Sequence, residues 1–168
     1  GVKVFLDDYA YLAQLMINFY ETTGEINYLD DAKKIVQQTW DLFYDKENKI
    51  LQKNPIKQND LFVPPLDVND SNIPNGNSIF LLNCKKLEAI TEENQWQNMV
   101  KELTQSFHSH LNLRSTQMTS YIKNLDICDE LTTFTFFGDI NKNKELQKYV
   151  KKNYLKSSVL IYKNDFKE

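Results

Sequence analysis

The chain has 168 residues, of which 41% are hydrophobic, and this is enough for one domain with a sizeable core. Its formal net charge is −3, its lysines are scattered, and Arg114 is its one arginine, so no nucleic-acid-binding surface is expected. No apolar run approaches the roughly 18 residues of a membrane-spanning helix, and no secretory signal is visible.

Residues 6–23 predict a first helix. Asp7 and Asp8 fall in its first turn, where the helix dipole favours negative charge, and Gly24 is a natural residue to end it. We expect one apolar stripe of this helix to face the core: Tyr9, Leu12, Leu15, Met16 and Phe19.

Residues 28–44 predict a second helix, which Asn27 could cap. The short connection favours an antiparallel pair of helices. Its apolar stripe is expected to comprise Leu29, Ala32, Val36, Trp40 and Phe43.

Residues 45–75 show no sustained hydrophobic period and contain all four prolines of the chain. A connection of this length within a compact domain is usually functional or disordered.

Three further helices are predicted over residues 77–90, 94–111 and 115–125, and Thr91 could cap the second of them. Their expected inward residues are Phe80, Leu81, Cys84 and Leu87, then Trp96, Met99, Val100, Leu103 and Phe107, then Met118, Tyr121, Ile122 and Leu125. Cys84 and Cys128 are far apart in the sequence, which favours two reduced thiols in a cytoplasmic protein.

The C-terminal segment changes character. Residues 132–138 and 157–163 read as strands and flank a helix over 142–153, so we expect a parallel strand pair with a right-handed crossover. The inward residues of this helix are expected to be Leu146, Tyr149 and Val150. The predicted organisation is a helical region over 1–128 and a small α/β tail over 129–168 that packs on the helices.

Two short motifs lie at predicted helix starts: "LDDYA" at residues 6–10 and "DSNIPNGNS" at residues 70–78. With the segment from residue 132 to 163, they resemble the C-terminal part of the thioredoxin-domain-containing family that includes the spermatogenesis-associated proteins. The family usually has a serine where this chain has Asn75. It also tends to have a basic residue upstream, where this chain has Pro64, Pro65 and Leu66.

That resemblance implies a mainly α fold. The helical hairpins would form part of an α/α toroid, similar to the barrels of N-acylglucosamine 2-epimerases and six-hairpin glycosidases, with the α/β tail at the C-terminus. A thioredoxin-type domain would precede the barrel in a longer protein, of which this chain would be a fragment. A cut barrel should expose apolar helix faces, so a homodimer of the chain is also expected.

The resemblance also implies a carbohydrate-like ligand at the loop end of the barrel. Its ligand-binding residues would be Asp7, Asp8, Tyr9, Asp70, Asn75, Asn77 and Ser78. Asp8 and Asp70 are the candidate catalytic pair, since two carboxylates across a cavity could act on a glycosidic bond. Whether the chain is an enzyme stays open, and an epimerase-like or a glycosidase-like activity would be the choices.

Structural explanations compete with each of these assignments. Asp7 and Asp8 could serve only the helix dipole, and Asn75 or Asn77 could serve only as a helix cap. His108 and His110 are two residues apart, which places them in different directions on a helix, so neither a metal site nor a cofactor is expected. The alternative function is a non-catalytic module that positions a thioredoxin-type domain or a protein partner.

Overall fold

A computed structural model of the chain describes residues 4–56, 68–154 and 157–164. These ranges are mainly helical. The helices are α1 Leu6–Thr23, α2 Ile26–Phe43, α3 Gly76–Thr91, α4 Asn94–Arg114, α5 Thr119–Asp129 and α6 Lys144–Tyr154, with a 3₁₀ turn at Ser115–Gln117. The strands are β1 Tyr44–Asp45, β2 Ile50–Leu51, β3 Thr132–Phe137 and β4 Ser158–Lys163.

Helix α3 lies at the centre of the packing, in contact with α1, α2, α4, α5 and β4. Every residue from Gly76 to Cys84 is buried, so this half of the helix is enclosed on all sides. The predicted inward residues Phe80, Leu81, Cys84 and Leu87 are confirmed, and all four are fully buried. A helix enclosed in this way has to satisfy its polar groups within the protein, because water cannot reach them.

Helix α1 has the predicted limits, and Gly24 ends it with φ of 74° while its N–H donates to Tyr20 O at 2.7 Å. Its predicted inward stripe is wrong. Leu12, Leu15 and Phe19 are exposed, Tyr9 and Met16 are half-buried, and the buried residues are Leu6, Ala10, Ala13, Ile17, Tyr20 and Glu21. The alanine face allows α1 to approach α3 closely, so that Asn83 Nδ2 of α3 donates to Ala10 O at 2.8 Å.

Helix α2 packs as predicted through Leu29, Ala32, Val36 and Phe43, which are all buried. Trp40 is only half-buried, and its ring stacks on Tyr44 at a centroid distance of 3.7 Å. The predicted cap is wrong, because α2 begins at Ile26 and Asn27 lies inside it. The preceding residue Glu25 has no side-chain capping bond, and its N–H donates to Thr23 Oγ1 at 3.2 Å.

A short antiparallel hairpin follows α2. It begins at Tyr44, the last residue of the predicted second helix, and continues into the segment that shows no hydrophobic period. Tyr44 pairs with Leu51, and Asp45 pairs with Ile50. Asp45 Oδ1 accepts from the N–H groups of Glu47 at 2.9 Å and Asn48 at 3.3 Å, which fixes the turn. Residues 57–67, and with them Pro64, Pro65 and Leu66, lie outside the described residues.

Helix α4 extends three residues beyond its predicted end, whereas α5 is shifted from the predicted range 115–125 to Thr119–Asp129, because a 3₁₀ turn occupies Ser115–Gln117. The inward residues Trp96, Met99, Leu103, Phe107, Met118 and Tyr121 are confirmed, whereas Val100 and Leu125 are half-buried. Ile122 is exposed, because α5 turns Tyr121 and Asn124 toward α3 instead. Thr91 ends α3, and its hydroxyl accepts from Glu93 N at 3.3 Å and from Trp96 Nε1 at 3.1 Å across the corner into α4.

The predicted parallel pair is confirmed: β3 and β4 run from Thr132 opposite Ser158 to Phe137 opposite Lys163. In α6 only Val150 of the three expected inward residues is buried, and Leu146 and Tyr149 are exposed. Gln147 is buried instead, and its Nε2 donates to Ile140 O at 3.1 Å. Val159 and Ile161 of β4 belong to the same core as the helices.

Candidate functional site

Asp70 joins the loop before α3 to the start of α5. Its Oδ2 accepts from Ser120 N at 2.7 Å and from Thr119 Oγ1 at 3.0 Å, and its Oδ1 accepts from Asn75 N at 2.9 Å and from Ser120 Oγ. The N–H of Asp70 in turn donates to Gln117 O at 2.7 Å. Asp70 therefore caps the N-terminus of α5 from a distant part of the sequence.

Partial burial of Asp70 would raise the pKa of its carboxyl group, but the hydrogen bonds from Ser120, Asn75 and Thr119 outweigh it and lower that pKa. The carboxylate is thus held ionised at neutral pH with both oxygens engaged. Such a group is unsuited to act as a general acid.

Asn75 and Ser78 close the first turn of α3. Asn75 Oδ1 accepts from Asn77 N at 2.8 Å, and Asn75 Nδ2 donates to Asn69 O at 3.2 Å. Ser78 Oγ donates to Asn75 O at 2.7 Å and lies 2.6 Å from Ser120 Oγ. Of the two alternatives predicted for the cap, Asn75 and Asn77, the structure has Asn75.

Asn77 is buried and holds strand β2. Its Oδ1 accepts from Leu51 N at 3.0 Å, and its Nδ2 donates to Leu51 O at 2.8 Å. The side-chain amide thus takes the place that a neighbouring strand would fill. The Asn77 side chain is therefore enclosed within the protein.

The side chains of Asp7, Asp8 and Tyr9 at the start of α1 have different neighbours. Asp8 is exposed, and its Oδ2 accepts from Phe5 N at 3.3 Å as a local cap. The Tyr9 ring packs against Phe43 at a centroid distance of 5.6 Å. Asp7 lies against Gly76, where a Cβ would also come within 2.9 Å of Leu6 Cγ, so glycine permits α1 and α3 to start side by side.

Tyr11 is a residue that the sequence reasoning missed. Its hydroxyl donates to Pro74 O at 3.1 Å. Partial burial raises the pKa of Tyr11, and the nearby charges of Asp7 and Asp70 raise it further. Asp7, rather than Asp8, therefore shares a neighbour with Asp70. The i, i+4 spacing of Asp7 and Tyr11 on α1 was the available signal.

Among the described side chains, histidine does not form a metal site with other residues. His108 is exposed, with Nδ1 3.2 Å from Thr104 O, and the side chain of His110 lies outside the described part of the structure. In the ranges that the structure describes, no three His, Cys, Asp or Glu side chains are grouped as metal ligands would be.

Both cysteines are free thiols, as predicted. Burial raises the pKa of Cys84 well above its usual value. Burial also raises the pKa of Cys128 to about 11, although Lys85 acts in the opposite direction. Neither thiol is therefore an activated nucleophile at neutral pH.

Three of the cavities that the described residues line lie elsewhere on the molecule. A cavity of about 600 Å³ lies beside Leu42, Tyr44 and Ile56, and one of about 420 Å³ lies between Glu88 and Cys128. A third, of about 190 Å³, is lined by Asn18, Glu21, Thr22, Lys86, Lys151, Ser158 and Leu160. None of these three is lined by any residue of the predicted ligand-binding set.

Comparison with known proteins adds no family. A scan against models of known protein families finds no match to this chain, and a search of curated proteins finds no similar sequence. The resemblance that rests on "LDDYA" and "DSNIPNGNS" therefore stays a prediction. Within the described ranges, none of the helices combines the length and apolar character that crossing a membrane requires.

Replacing Asp70 by Asn should destabilise the fold by about 1–2 kcal/mol near neutral pH, because an amide cannot accept all of the donors around Asp70. The folded-state pKa of Asp70 is lowered, so its contribution is complete above the ordinary value of 3.8 and is lost as pH falls through the folded value. Urea unfolding of wild type and Asp70→Asn should therefore differ less at acid pH than at neutral pH.

Asp8→Asn is the matched control, since it removes the charge of an exposed carboxylate with one capping bond. A loss of stability equal to that of Asp70→Asn, or a difference for Asp70→Asn that ignores pH, would contradict the assigned role of Asp70.

Proposed function

We propose that this chain is a non-catalytic helical module that associates with an apolar protein surface through the outer side of α1. The observation that carries the proposal is a set of large exposed side chains, which we call the α1 face: Leu12, Leu15, Phe19 and Ile26. Leu12, Leu15 and Phe19 are 45%, 44% and 40% exposed, and Ile26 at the start of α2 is 59% exposed.

Three members of the α1 face share one side of the helix, because Leu12, Leu15 and Phe19 are spaced at i, i+3 and i+7. The Phe19 ring contacts the Tyr28 ring at a centroid distance of 5.1 Å, so the apolar surface extends onto α2. Single exposed apolar residues are common on proteins, whereas a contiguous group marks a contact surface.

The polar segment before α3 supports a structural role over a catalytic one. Asp70 caps α5, Asn75 caps α3, and Asn77 holds β2. Asp8 caps α1 separately, since its Oδ2 accepts from Phe5 N at 3.3 Å. A glycosidase-like pair would require the two carboxylates to face one another across a substrate.

The fold implied by the family resemblance is consistent with this proposal. In a partial α/α toroid, the α1 face would pack against a neighbouring helical hairpin or the thioredoxin-type domain of the longer protein. A second copy of the chain offers the same apolar surface, so we take it as the occupant to be tested.

The test is sedimentation velocity of wild type and Leu15→Lys over a range of protein concentrations. We expect wild type to form a dimer as concentration rises, and Leu15→Lys to remain monomeric because a charge in the contact would have to be desolvated. Ile122→Lys is the matched control, since Ile122 is 42% exposed on α5. A wild type that stays monomeric throughout, or equal association of both variants, would contradict the proposal.

A carbohydrate site is the second candidate, favoured by one observation. The charges of Asp7 and Asp70 both raise the pKa of Tyr11. Thr119, which donates to Asp70, is exposed. Hydroxyl and carboxylate groups at the start of three helices suit the hydroxyl groups of a sugar.

The carbohydrate candidate is tested by an amide NMR titration with simple sugars and amino sugars. Binding would give saturable shifts at Tyr11 and from Asp70 to Ser78, lost in Tyr11→Phe and kept in Tyr149→Phe, which alters an exposed tyrosine of α6. We expect no saturable shifts, because the side chains of this segment are engaged in holding the fold.

A further inference from the structure

We propose that the cavity between the end of α1 and strand β4 binds a small oxyanion, such as phosphate or a short carboxylate. This cavity has a volume of about 190 Å³. Because one water molecule occupies about 30 Å³ in the liquid, the space is large enough for an oxyanion with some of its hydration. The proposal is independent of the α1 face and of the segment before α3.

Two lysines and one carboxylate set the charge of the cavity. Lys86 Nζ donates to Glu21 Oε2 at 2.7 Å, with both side chains largely buried. Lys151 of α6 also lines the cavity, and its Nζ donates to Thr22 O at 3.2 Å. Among the described side chains that line the cavity, one positive charge is therefore uncompensated, although the chain as a whole carries a net charge of −3.

Glu21 does not form a hydrogen bond with Lys151, because both of its carboxylate oxygens have other partners. Its Oε1 accepts from Leu160 N at 3.2 Å, and its Oε2 is taken by Lys86. This arrangement engages both carboxylate oxygens, although Glu21 lines the cavity together with Lys86 and Lys151. Burial lowers the pKa of Lys151, and the Glu21 charge partly offsets this effect.

Hydrogen-bond donors are in excess at this place. Each ammonium has three N–H groups, and among the described residues each donates one hydrogen bond. The buried residue Ser158 adds a hydroxyl to the lining, and Leu160 forms an apolar wall. An oxyanion placed between the two lysines would accept several charge-assisted hydrogen bonds and neutralise the surplus charge.

Inorganic phosphate is the probe, titrated into the whole chain at constant ionic strength with chloride as the balancing anion. Amide NMR should show saturable shifts at Lys86, Lys151, Ser158 and Leu160. Lys151→Gln should weaken the apparent affinity at least about tenfold, because the site then has no net positive charge. Lys151→Arg should retain binding, since it preserves the charge.

Lys152→Gln is the matched control, because Lys152 is exposed on the same helix and does not line the cavity. It should bind phosphate as wild type does. Non-saturating shifts, shifts that chloride reproduces, or equal weakening by Lys151→Gln and Lys152→Gln would overturn the proposal and leave only screening of surface charge. The amide spectrum of each variant without phosphate shows whether its fold is kept.

Discussion

The enclosure of the first half of α3 is the constraint on which the rest of the structure depends. Residues from Gly76 to Cys84 are buried on every side, so a polar group that enters this region without a partner costs free energy. Asn77 binds both backbone groups of Leu51, and Asn83 Nδ2 donates to Ala10 O. Asn83 Oδ1 is the exception, since it is buried without a hydrogen-bond partner among the described residues. The bonds of Asn77 and Asn83 attach the hairpin and α1 to the central helix. The polar segment before α3 supplies hydrogen bonds at the start of this buried helix.

The sequence predicted the helices well because hydrophobic period and turn residues are local signals. It could not choose between the two apolar sides of α1. One side carries Leu12, Leu15 and Phe19, and the other carries Ala10, Ala13 and Ile17. The larger side chains bury more area singly, but the smaller ones let two helices approach closely. Which side contributes more to stability depends on the neighbouring helices. The hydrophobic period of a single segment carries no information about those neighbours.

The candidate site was predictable in its residue types and not in their partners. Asp70, Asn75 and Ser78 were expected at a helix start, and the cap at Asn75 lies as expected. The link from Asp70 to Ser120 spans 50 residues of sequence, and the clamp from Asn77 to Leu51 spans 26. Such distant pairs leave no local pattern. The Glu21, Lys86 and Lys151 cluster escaped prediction for the same reason, since its members come from three helices.

The most direct test of this account is native-state hydrogen exchange of the Leu51, Asn75 and Ser120 amides. Each of these N–H groups donates to a side-chain oxygen of Asn77 or Asp70, at 3.0, 2.9 and 2.7 Å. If these bonds hold the fold around α3, the three amides should exchange only with unfolding of the core, as slowly as amides within α3. Exchange as fast as in exposed loops would show that the polar segment is not committed to the fold.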